Sequence, residues 1–188
     1  MKKLAIFGSG SGSNAENIYH YFKDSLIIKI VFICTDHKDA YIAKRAKKFN
    51  LPIIYTSKSE LNDFYNFKKK ITTYNLDYII LAGFLLKIPS VMVSYYSNRI
   101  INIHPSLLPK YGGKGMYGRN VHRAIIENNE KESGITIHFV NKNYDEGKII
   151  LQKRCVVSVK ETVDSLEKKI QSLEFKYLPK TIEKIALK

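Results

Sequence analysis

Hydrophobic and polar residues follow two alternating patterns along the first hundred positions. Short apolar runs, typical of buried strands, are separated by longer segments in which apolar residues recur every three or four positions, as in helices. The predicted strands are Leu4 to Phe7, Ile27 to Cys34, Ile53 to Tyr55, Tyr78 to Leu81 and Ile100 to Ile103. The predicted helices are Ala15 to Phe22, Ala40 to Phe49, Leu61 to Tyr74 and Ile88 to Tyr96. This alternation predicts a parallel sheet with crossover helices.

The pattern changes after residue 104. The glycine-rich segment KYGGKGMYGRN precedes a predicted helix from Val121 to Asn128. Two further apolar runs, Gly134 to Val140 and Ile149 to Val157, are joined by the polar turn NKNYDEGK and predict antiparallel strands that extend the sheet. A long helix then follows, which Pro179 is expected to kink or end; its apolar face comprises Val163, Leu166, Ile170, Leu173 and Tyr177. We therefore expect an α/β fold, a Rossmann-like open, mostly parallel twisted sheet of about seven strands with flanking helices.

Length and cysteine usage restrict the class of protein. A chain of 188 residues can bury one core, and without an internal repeat or linker we expect a single domain over residues 1–188. Cys34 and Cys155 lie in apolar runs and not in a Cys/His cluster, so we expect reduced core cysteines and no metal site. The sequence shows neither a signal peptide nor an apolar run long enough to span a membrane, which predicts a cytoplasmic protein without a membrane partner.

The net charge of +14 first suggests a nucleic-acid partner, because basic surfaces attract polyphosphates. The lysines, however, are scattered through the predicted helices, and the sequence contains no stripe in which arginines and aromatic residues alternate. We therefore expect no nucleic-acid partner, although a preference for small anionic substrates is compatible with this charge.

The segment GSGSGSN, residues 8–14, follows the first strand and opens the first helix. Gly10, Gly12 and Ala15 match the GxGxxA form of a dinucleotide fingerprint, and Asp36 follows the second strand where a ribose-binding acid would stand. Bare amides at a helix N-terminus bind any phosphate, however. The segment is also compatible with a simple turn in which Asn14 caps the helix. The loop alone indicates a phosphate and does not identify its owner.

The segment INIHPSLLPKYGG, residues 101–113, carries the candidate chemistry. Asn102 and His104 are two residues apart, so both project from the same face of a strand that Pro105 ends. An amide can donate to a developing oxyanion, and an imidazole can move protons during acyl transfer. Asp145 stands in a tight turn before Gly147. A carboxylate beside His104 is expected to favour the imidazolium and raise its pKa.

Five segments in the same order resemble the folate-dependent formyltransferases, in particular the group that formylates glycinamide ribonucleotide in purine synthesis. These segments span nearly the whole chain and read SGSGSN, LAGFLLKIP, NIHPSLLPKYGG, GITIHFVNKNYDEGKIILQ and LEFKYLP. The resemblance implies the formyltransferase fold, with a phosphate-binding half up to about residue 100, a catalytic and folate-binding part over residues 100–160 and a closing helix over residues 162–188. It also implies transfer of the formyl group of 10-formyltetrahydrofolate to the amine of glycinamide ribonucleotide, without a metal, by a monomer or weak homodimer.

The same resemblance assigns roles to individual positions. Asn102 would be the oxyanion donor, His104 the proton-transfer catalyst and Asp145 the carboxylate that holds and tunes His104. The implied substrate-binding residues are Ser11, Gly12, Ser13, Asn14, Pro109 and Glu174. The implied folate-binding residues are Leu85, Leu86, Lys87, Ile88, Asn102, Val140, Asn141, Tyr144 and Asp145. Second-rank candidates are His122 and His138, together with Lys110, Lys114, Tyr117 and Arg119 of the glycine-rich loop.

Two other functions remain compatible with the sequence. A formyltetrahydrofolate hydrolase would share the Asn, His and Asp triad, although such enzymes usually carry an extra N-terminal domain. A Rossmann-type nucleotide-binding module without catalysis would account for GxGxxA and Asp36 alone. Turnover of the formyl donor with and without the amine substrate separates these functions.

Overall fold

One twisted sheet organises the protein, as seen in a computed structural model that describes residues 1–187. Within those residues its strands are β1 (Lys2–Phe7), β2 (Ile28–Thr35), β3 (Ile53–Tyr55), β4 (Tyr78–Leu81), β5 (Ile100–His104), β6 (Glu132–Phe139) and β7 (Ile149–Val156). The spatial order is β3-β2-β1-β4-β5-β6-β7. The pairs among β1 to β5 are parallel, whereas β5 with β6 and β6 with β7 are antiparallel. The predicted α/β class, strand number and antiparallel extension are confirmed.

Helices cover both faces of this sheet. They are α1 (Ser13–Phe22), α2 (Tyr41–Lys48), α3 (Lys58–Asn62), α4 (Phe64–Ile71), α5 (Ser90–Tyr95), α6 (Arg119–Glu127) and α7 (Val163–Ala186), with a 3₁₀ turn at Thr72–Tyr74. Strand β1 shows why two layers form, because its alternate side chains enter different cores. Leu4 and Ile6 join the cluster that contains α1, α6 and α7 residues, whereas Ala5 and Phe7 join the cluster of α4 and α5 residues. No helix within residues 1–187 is long and apolar enough to cross a membrane.

The single helix predicted from Leu61 to Tyr74 is wrong. Asp63 has φ −82° and ψ 67°, outside the helical region, and separates α3 from α4. Its carboxylate accepts a hydrogen bond from the backbone N–H of Asn66 at 3.3 Å. Asp63 therefore caps α4, and the capping bond replaces the helical conformation that the apolar spacing favoured.

Pro179 does not end helix α7, which contradicts one of the two outcomes expected for it. Proline lacks an N–H group, so the carbonyl of Phe175, four residues earlier, loses its helical donor. The side-chain amide of Asn17 in α1 donates to that carbonyl at 2.9 Å. The long helix continues because α1 supplies the missing hydrogen bond.

The strand order places a crevice above β1 and β4. The sheet extends from β1 through β2 and β3 on one side and through β4 to β7 on the other, so the direction of strand addition reverses between β1 and β4. Open α/β sheets bind ligands at such a switch point, beyond the carboxyl ends of the strands. The glycine-rich loop follows β1, the LAGFLL segment spans the end of β4, and Asn102 and His104 lie at the end of β5.

Candidate active site

The glycine-rich loop turns from β1 into α1 around two close backbone contacts. Gly12 has φ 73° and precedes the first residue of α1. A Cβ atom at Gly12 would lie 2.6 Å from Cγ1 of Ile42, and one at Gly8 would lie 2.7 Å from Cδ1 of the same residue. The backbone N–H of Ile42 also donates to the carbonyl of Gly10 at 3.1 Å. These glycines are therefore explained by the packing of α2, without a dinucleotide pyrophosphate.

The second part of the dinucleotide fingerprint also lacks support. Asp36 lies beside Nε2 of His37 at 3.5 Å, with its side chain only 7% exposed. It does not line the cavity that the glycine-rich loop faces. The acid that the dinucleotide hypothesis requires is therefore not in the required place.

The remainder of the loop faces the cavity. Ser11, Gly12, Ser13 and Asn14 line it at the N-terminus of α1, where backbone amides and the helix dipole favour an anion. Arg45 fixes the loop from outside, since its Nε–H donates to the carbonyl of Ser11 at 2.9 Å and its guanidinium pairs with Glu16. The alternative of a simple turn capped by Asn14 is contradicted, because the first helical residue is Ser13 and no side chain caps α1.

Asn14 instead reaches across to helix α7. Its side-chain amide donates to Oε2 of Glu174 at 2.8 Å, while its Oδ1 is buried without a partner. Burial raises the pKa of Glu174 to about 7, reinforced by the nearby Glu167 and opposed by the hydrogen bond from Asn14. The cavity thus contains a carboxyl group that changes charge near neutral pH.

His104 lies at the end of β5 and is 4% exposed. Its Nε2–H donates to the backbone carbonyl of Tyr111 at 2.7 Å. Because a carbonyl can only accept, this bond places the proton of the neutral ring on Nε2 and leaves the lone pair on Nδ1. Nδ1 lies 3.5 Å from Oδ2 of Asp145, so protonation there would create an ion pair.

The expected rise in the pKa of His104 is wrong. Burial lowers its pKa, and although the Asp145 carboxylate and the Tyr111 carbonyl oppose this effect, the net direction is downward. Desolvation disfavours the imidazolium more than one neighbouring carboxylate favours it. The free protein therefore holds His104 as a neutral base at neutral pH.

Asp145 connects the remaining polar groups of the site. Its Oδ2 accepts from the backbone N–H of Gly113 at 2.9 Å, and its Oδ1 accepts from Nδ2 of Asn102 at 3.3 Å. Burial would raise the pKa of Asp145, but the nearby rings of His138 and His104 and the hydrogen bond from the Gly113 amide together lower it. Asp145 is therefore an anion at neutral pH.

The amide of Asn102 has a second partner. Its Nδ2 lies 3.1 Å from Nε2 of His138, whose Nδ1–H donates to the carbonyl of Phe139 at 2.9 Å. His138 Nε2 is consequently an acceptor. His138 and Asp145 together orient the Asn102 amide group.

These groups share one cavity of about 630 Å³. It brings together all of the predicted site residues but one, namely Ser11, Gly12, Ser13, Asn14, Leu85, Leu86, Lys87, Ile88, Asn102, His104, Val140, Asn141, Tyr144, Asp145 and Glu174. Pro109 lines a separate cavity of about 250 Å³ and not this one. Among the second-rank candidates, Lys114, Tyr117, His122 and His138 line the large cavity. Lys110 instead pairs with Glu130 at 2.9 Å, and Arg119 pairs with Asp164 and Glu167.

Several residues that line the cavity were not predicted as site residues from the sequence. Glu167, Ile170 and Gln171 reach the cavity from helix α7, and Met116 reaches it from the glycine-rich loop. Their spacing offered one clue, because Glu167, Gln171 and Glu174 recur at intervals of four and three residues and so share a face of α7.

Comparison with known proteins places this arrangement in context. The sequence model of the family described as formyl transferase matches residues 2–182. The phosphoribosylglycinamide formyltransferase of Bacillus subtilis is 31% identical, and the match covers 98% of this chain and 95% of that protein. A chloroplastic phosphoribosylglycinamide formyltransferase of Arabidopsis thaliana is 38% identical over 93% of this chain, which spans 62% of the plant protein.

Solved structures agree with these sequence matches. Glycinamide ribonucleotide transformylase 1 from Symbiobacterium toebii superimposes with a TM-score of 0.88 at 30% identity, covering 99% of this chain and 88% of that chain. Phosphoribosylglycinamide formyltransferase from Bacillus halodurans gives a TM-score of 0.87 at 30% identity, covering 98% and 95%.

Proposed function

The chain belongs to the formyl transferase family, and we propose that it transfers the formyl group of 10-formyltetrahydrofolate to the amine of glycinamide ribonucleotide. One observation carries this proposal. The phosphate-binding loop, residues 11–14, and the Asn102, His104 and Asp145 cluster open into the same cavity. A phosphate at one end and an acyl-transfer site at the other suit a phosphorylated amine whose reacting nitrogen is remote from its phosphate.

The ribonucleotide would lie between α1 and α7. Its phosphate would take the amides of Gly12, Ser13 and Asn14 at the start of α1. Its ribose hydroxyls would donate to Glu174, whose carboxylate already accepts from Asn14. The amine would then extend towards His104.

The formyl donor would occupy the other side of the cavity. Leu85, Leu86, Ile88 and Val140 supply apolar surface for a flat pterin there, and backbone groups of the same segments can pair with its polar edge. The segment that begins at Leu85 is held in place because the N–H of Leu85 donates to Oγ of Ser9 at 2.9 Å. Tyr144 lies under the ammonium group of Lys87, with Nζ 5.1 Å from the ring centroid.

The proposed reaction is nucleophilic attack of the amine on the formyl carbon. Asn102 donates to the oxygen that becomes an oxyanion, using the amide hydrogen now directed to Asp145 across the longer contact of 3.3 Å. Nδ1 of His104 accepts the proton lost by the attacking nitrogen and returns one to the departing folate nitrogen. Asp145 stabilises the imidazolium that exists between these two transfers.

No step in this scheme uses a metal, and residues 1–187 contain no cluster of three or more His, Cys, Asp or Glu that could hold one. We also propose that the enzyme acts in the cytoplasm as a monomer or weak homodimer and that it uses no nucleic-acid partner. Light scattering coupled to size-exclusion chromatography measures the oligomeric state directly.

The test follows deformylation of 10-formyltetrahydrofolate in the presence and absence of glycinamide ribonucleotide. Formyl transfer that requires the amine supports the proposal, whereas equal turnover without it indicates a hydrolase. Asn102→Ala and His104→Ala are each expected to slow transfer by at least about a hundredfold while the protein stays folded. His37→Ala, at a ring that is 62% exposed, is the matched control and should retain wild-type rates; near-normal turnover of either site variant contradicts the assignment.

A further inference from the structure

One buried side chain in the cavity has no role in the scheme above. His122 lies on α6, is 4% exposed and lines the cavity. Within residues 1–187 neither of its ring nitrogens has a hydrogen-bond partner, and Nδ1 is sealed from solvent. The neutral ring carries one N–H group, which costs free energy if it stays buried without an acceptor, and because His122 lines the cavity a bound ligand can supply that acceptor.

A carboxylate that lines the same cavity is already engaged elsewhere. Glu167 lines the same cavity and favours the charged form of His122, but its Oε2 accepts from Nη1 of Arg119 at 2.8 Å. Arg119 also contacts Asp164 and ties the start of α6 to α7. Helix α6 is anchored by Val121 and Ile125, both almost fully buried in the core, and within residues 1–187 His122 itself makes no hydrogen bond.

The environment determines what His122 offers to a ligand. Burial lowers its pKa, so the ring is neutral and carries one N–H group. A buried N–H without an acceptor is less favourable than a buried lone pair, because unpaired N–H groups are the rarer case in folded proteins. The proton therefore belongs on Nε2, the nitrogen that reaches the cavity, and His122 presents a donor there.

The location of this donor selects the acceptor. His122 lines the same cavity as His104, at the end of β5, and as Gln171 and Glu174 on α7. In glycinamide ribonucleotide the segment between ribose and reacting amine contains one strong acceptor, the amide carbonyl. Resting on the proposed function, we infer that Nε2–H of His122 donates to this carbonyl and makes His122 a specificity-determining residue for the glycinamide part of the substrate.

Two ligands separate this contact from the rest of the site. Glycinamide ribonucleotide contains the carbonyl, whereas ribose 5-phosphate shares only the phosphate and sugar. Calorimetry with His122→Phe is expected to show about three- to tenfold weaker binding of glycinamide ribonucleotide, the effect of one neutral hydrogen bond. Binding of ribose 5-phosphate should stay within about twofold of wild type. His122→Gln, which retains a donor near the same place, should recover most of the affinity, and His37→Phe should bind both ligands normally.

A measurement on the wild-type protein removes dependence on the variants. Two-bond ¹H–¹⁵N correlation spectra of the ¹⁵N-histidine-labelled protein are expected to show His122 as the Nε2–H tautomer, its signals assigned by their absence from His122→Gln. An Nδ1–H tautomer, wild-type affinity of His122→Phe for glycinamide ribonucleotide, or equal loss of both ligands would each overturn the inference. Failure of the wild-type protein to bind and formylate glycinamide ribonucleotide would overturn the proposed function itself, whereas normal formylation with an unaffected His122→Phe overturns only the role of His122.

Discussion

The carboxylate of Asp145 lies 3.5 Å from Nδ1 of His104, and Asp145→Asn tests whether that charge supports catalysis. At this separation the Coulomb energy of an imidazolium–carboxylate pair is about 5 kcal/mol for an effective dielectric constant of about 20. The asparagine dipole and local relaxation would recover up to about half of it. The remaining loss corresponds to a decrease in kcat/KM between roughly a hundredfold and a few thousandfold.

The pH dependence supplies a second, independent readout of Asp145→Asn. His104 acts as a base, so activity falls as the pH drops through its pKa, which burial holds below the usual 6.5. Asp145 opposes that lowering, and its neutralisation should move the acid limb of the kcat/KM profile to still lower pH. A merely structural role for Asp145 would leave this limb in place.

The assay measures kcat/KM from formyl transfer at subsaturating glycinamide ribonucleotide, which reports ionisations of the free enzyme. It covers about pH 5 to 9, the range in which histidine titrates. Asp24→Asn, at a carboxylate that is 88% exposed, is the matched control and should behave as wild type. Thermal unfolding establishes that both variants are folded. Turnover of Asp145→Asn within tenfold of wild type, or an unmoved acid limb, would refute the proposed stabilisation of the imidazolium.

Three further predictions concern the loop and the closing helix. Gly12→Ala should destabilise the protein by at least about 2 kcal/mol in urea unfolding and weaken phosphate binding, because φ is 73° and the new Cβ would clash with Ile42. The control is Gly10→Ala, whose new Cβ would have nothing within 4 Å. An equal loss of stability in both variants would contradict this explanation. Asn17→Ala should lower the free energy of unfolding by about 1 kcal/mol, because it leaves the Phe175 carbonyl, which Pro179 deprives of its helical donor, without a partner. In the Pro179→Ala background the helix can restore its own hydrogen bond, so the loss should be smaller. An unchanged loss would argue against coupling between Asn17 and Pro179. Glu174→Gln should stabilise the ligand-free protein above pH 7 by on the order of 1–3 kcal/mol, since a pKa raised from 4.5 to about 7 makes ionisation of Glu174 unfavourable to folding. The affinity for the ribonucleotide should fall. A gain in stability confined to pH values below 4.5 would contradict the predicted direction of the pH dependence.

The regular part of the fold could be predicted from the sequence because strands β1, β4 and β5 each contain a short, mainly apolar run. The spacing of Asn102 and His104 likewise placed both on one face at the end of β5. Helix boundaries that depend on a single polar contact could not be predicted from the sequence. Asp63 divides a segment whose apolar spacing is helical throughout, and Pro179 is tolerated only because Asn17, more than 150 residues away, donates to a carbonyl.

The electrostatics of the site illustrate a different limit. The resemblance correctly placed Asp145 beside His104, but the expectation that a carboxylate raises the pKa of His104 gave the wrong sign. Its burial results from the return of the glycine-rich loop over β5, which brings the carbonyl of Tyr111 to Nε2. The same glycine-rich loop lies between Pro109, which lines the separate cavity, and His122, which lines the large cavity. No local sequence pattern predicts the path of this loop.

The polar groups that lack partners indicate how this site is divided between stability and function. Four buried side-chain atoms within residues 1–187 have no hydrogen-bond partner, and two of them, on Asn14 and His122, belong to residues that line the large cavity. Glu174 in the same cavity carries a carboxyl group whose ionisation burial opposes. Each of these groups costs free energy in the ligand-free protein, and each lies on the side where the ribonucleotide would bind. On the proposed function, the ribonucleotide would gain affinity from the Nε2–H group of His122 and the carboxylate of Glu174, which the ligand-free protein holds at a cost, so that stabilising replacements of His122 and Glu174 should be those that weaken binding.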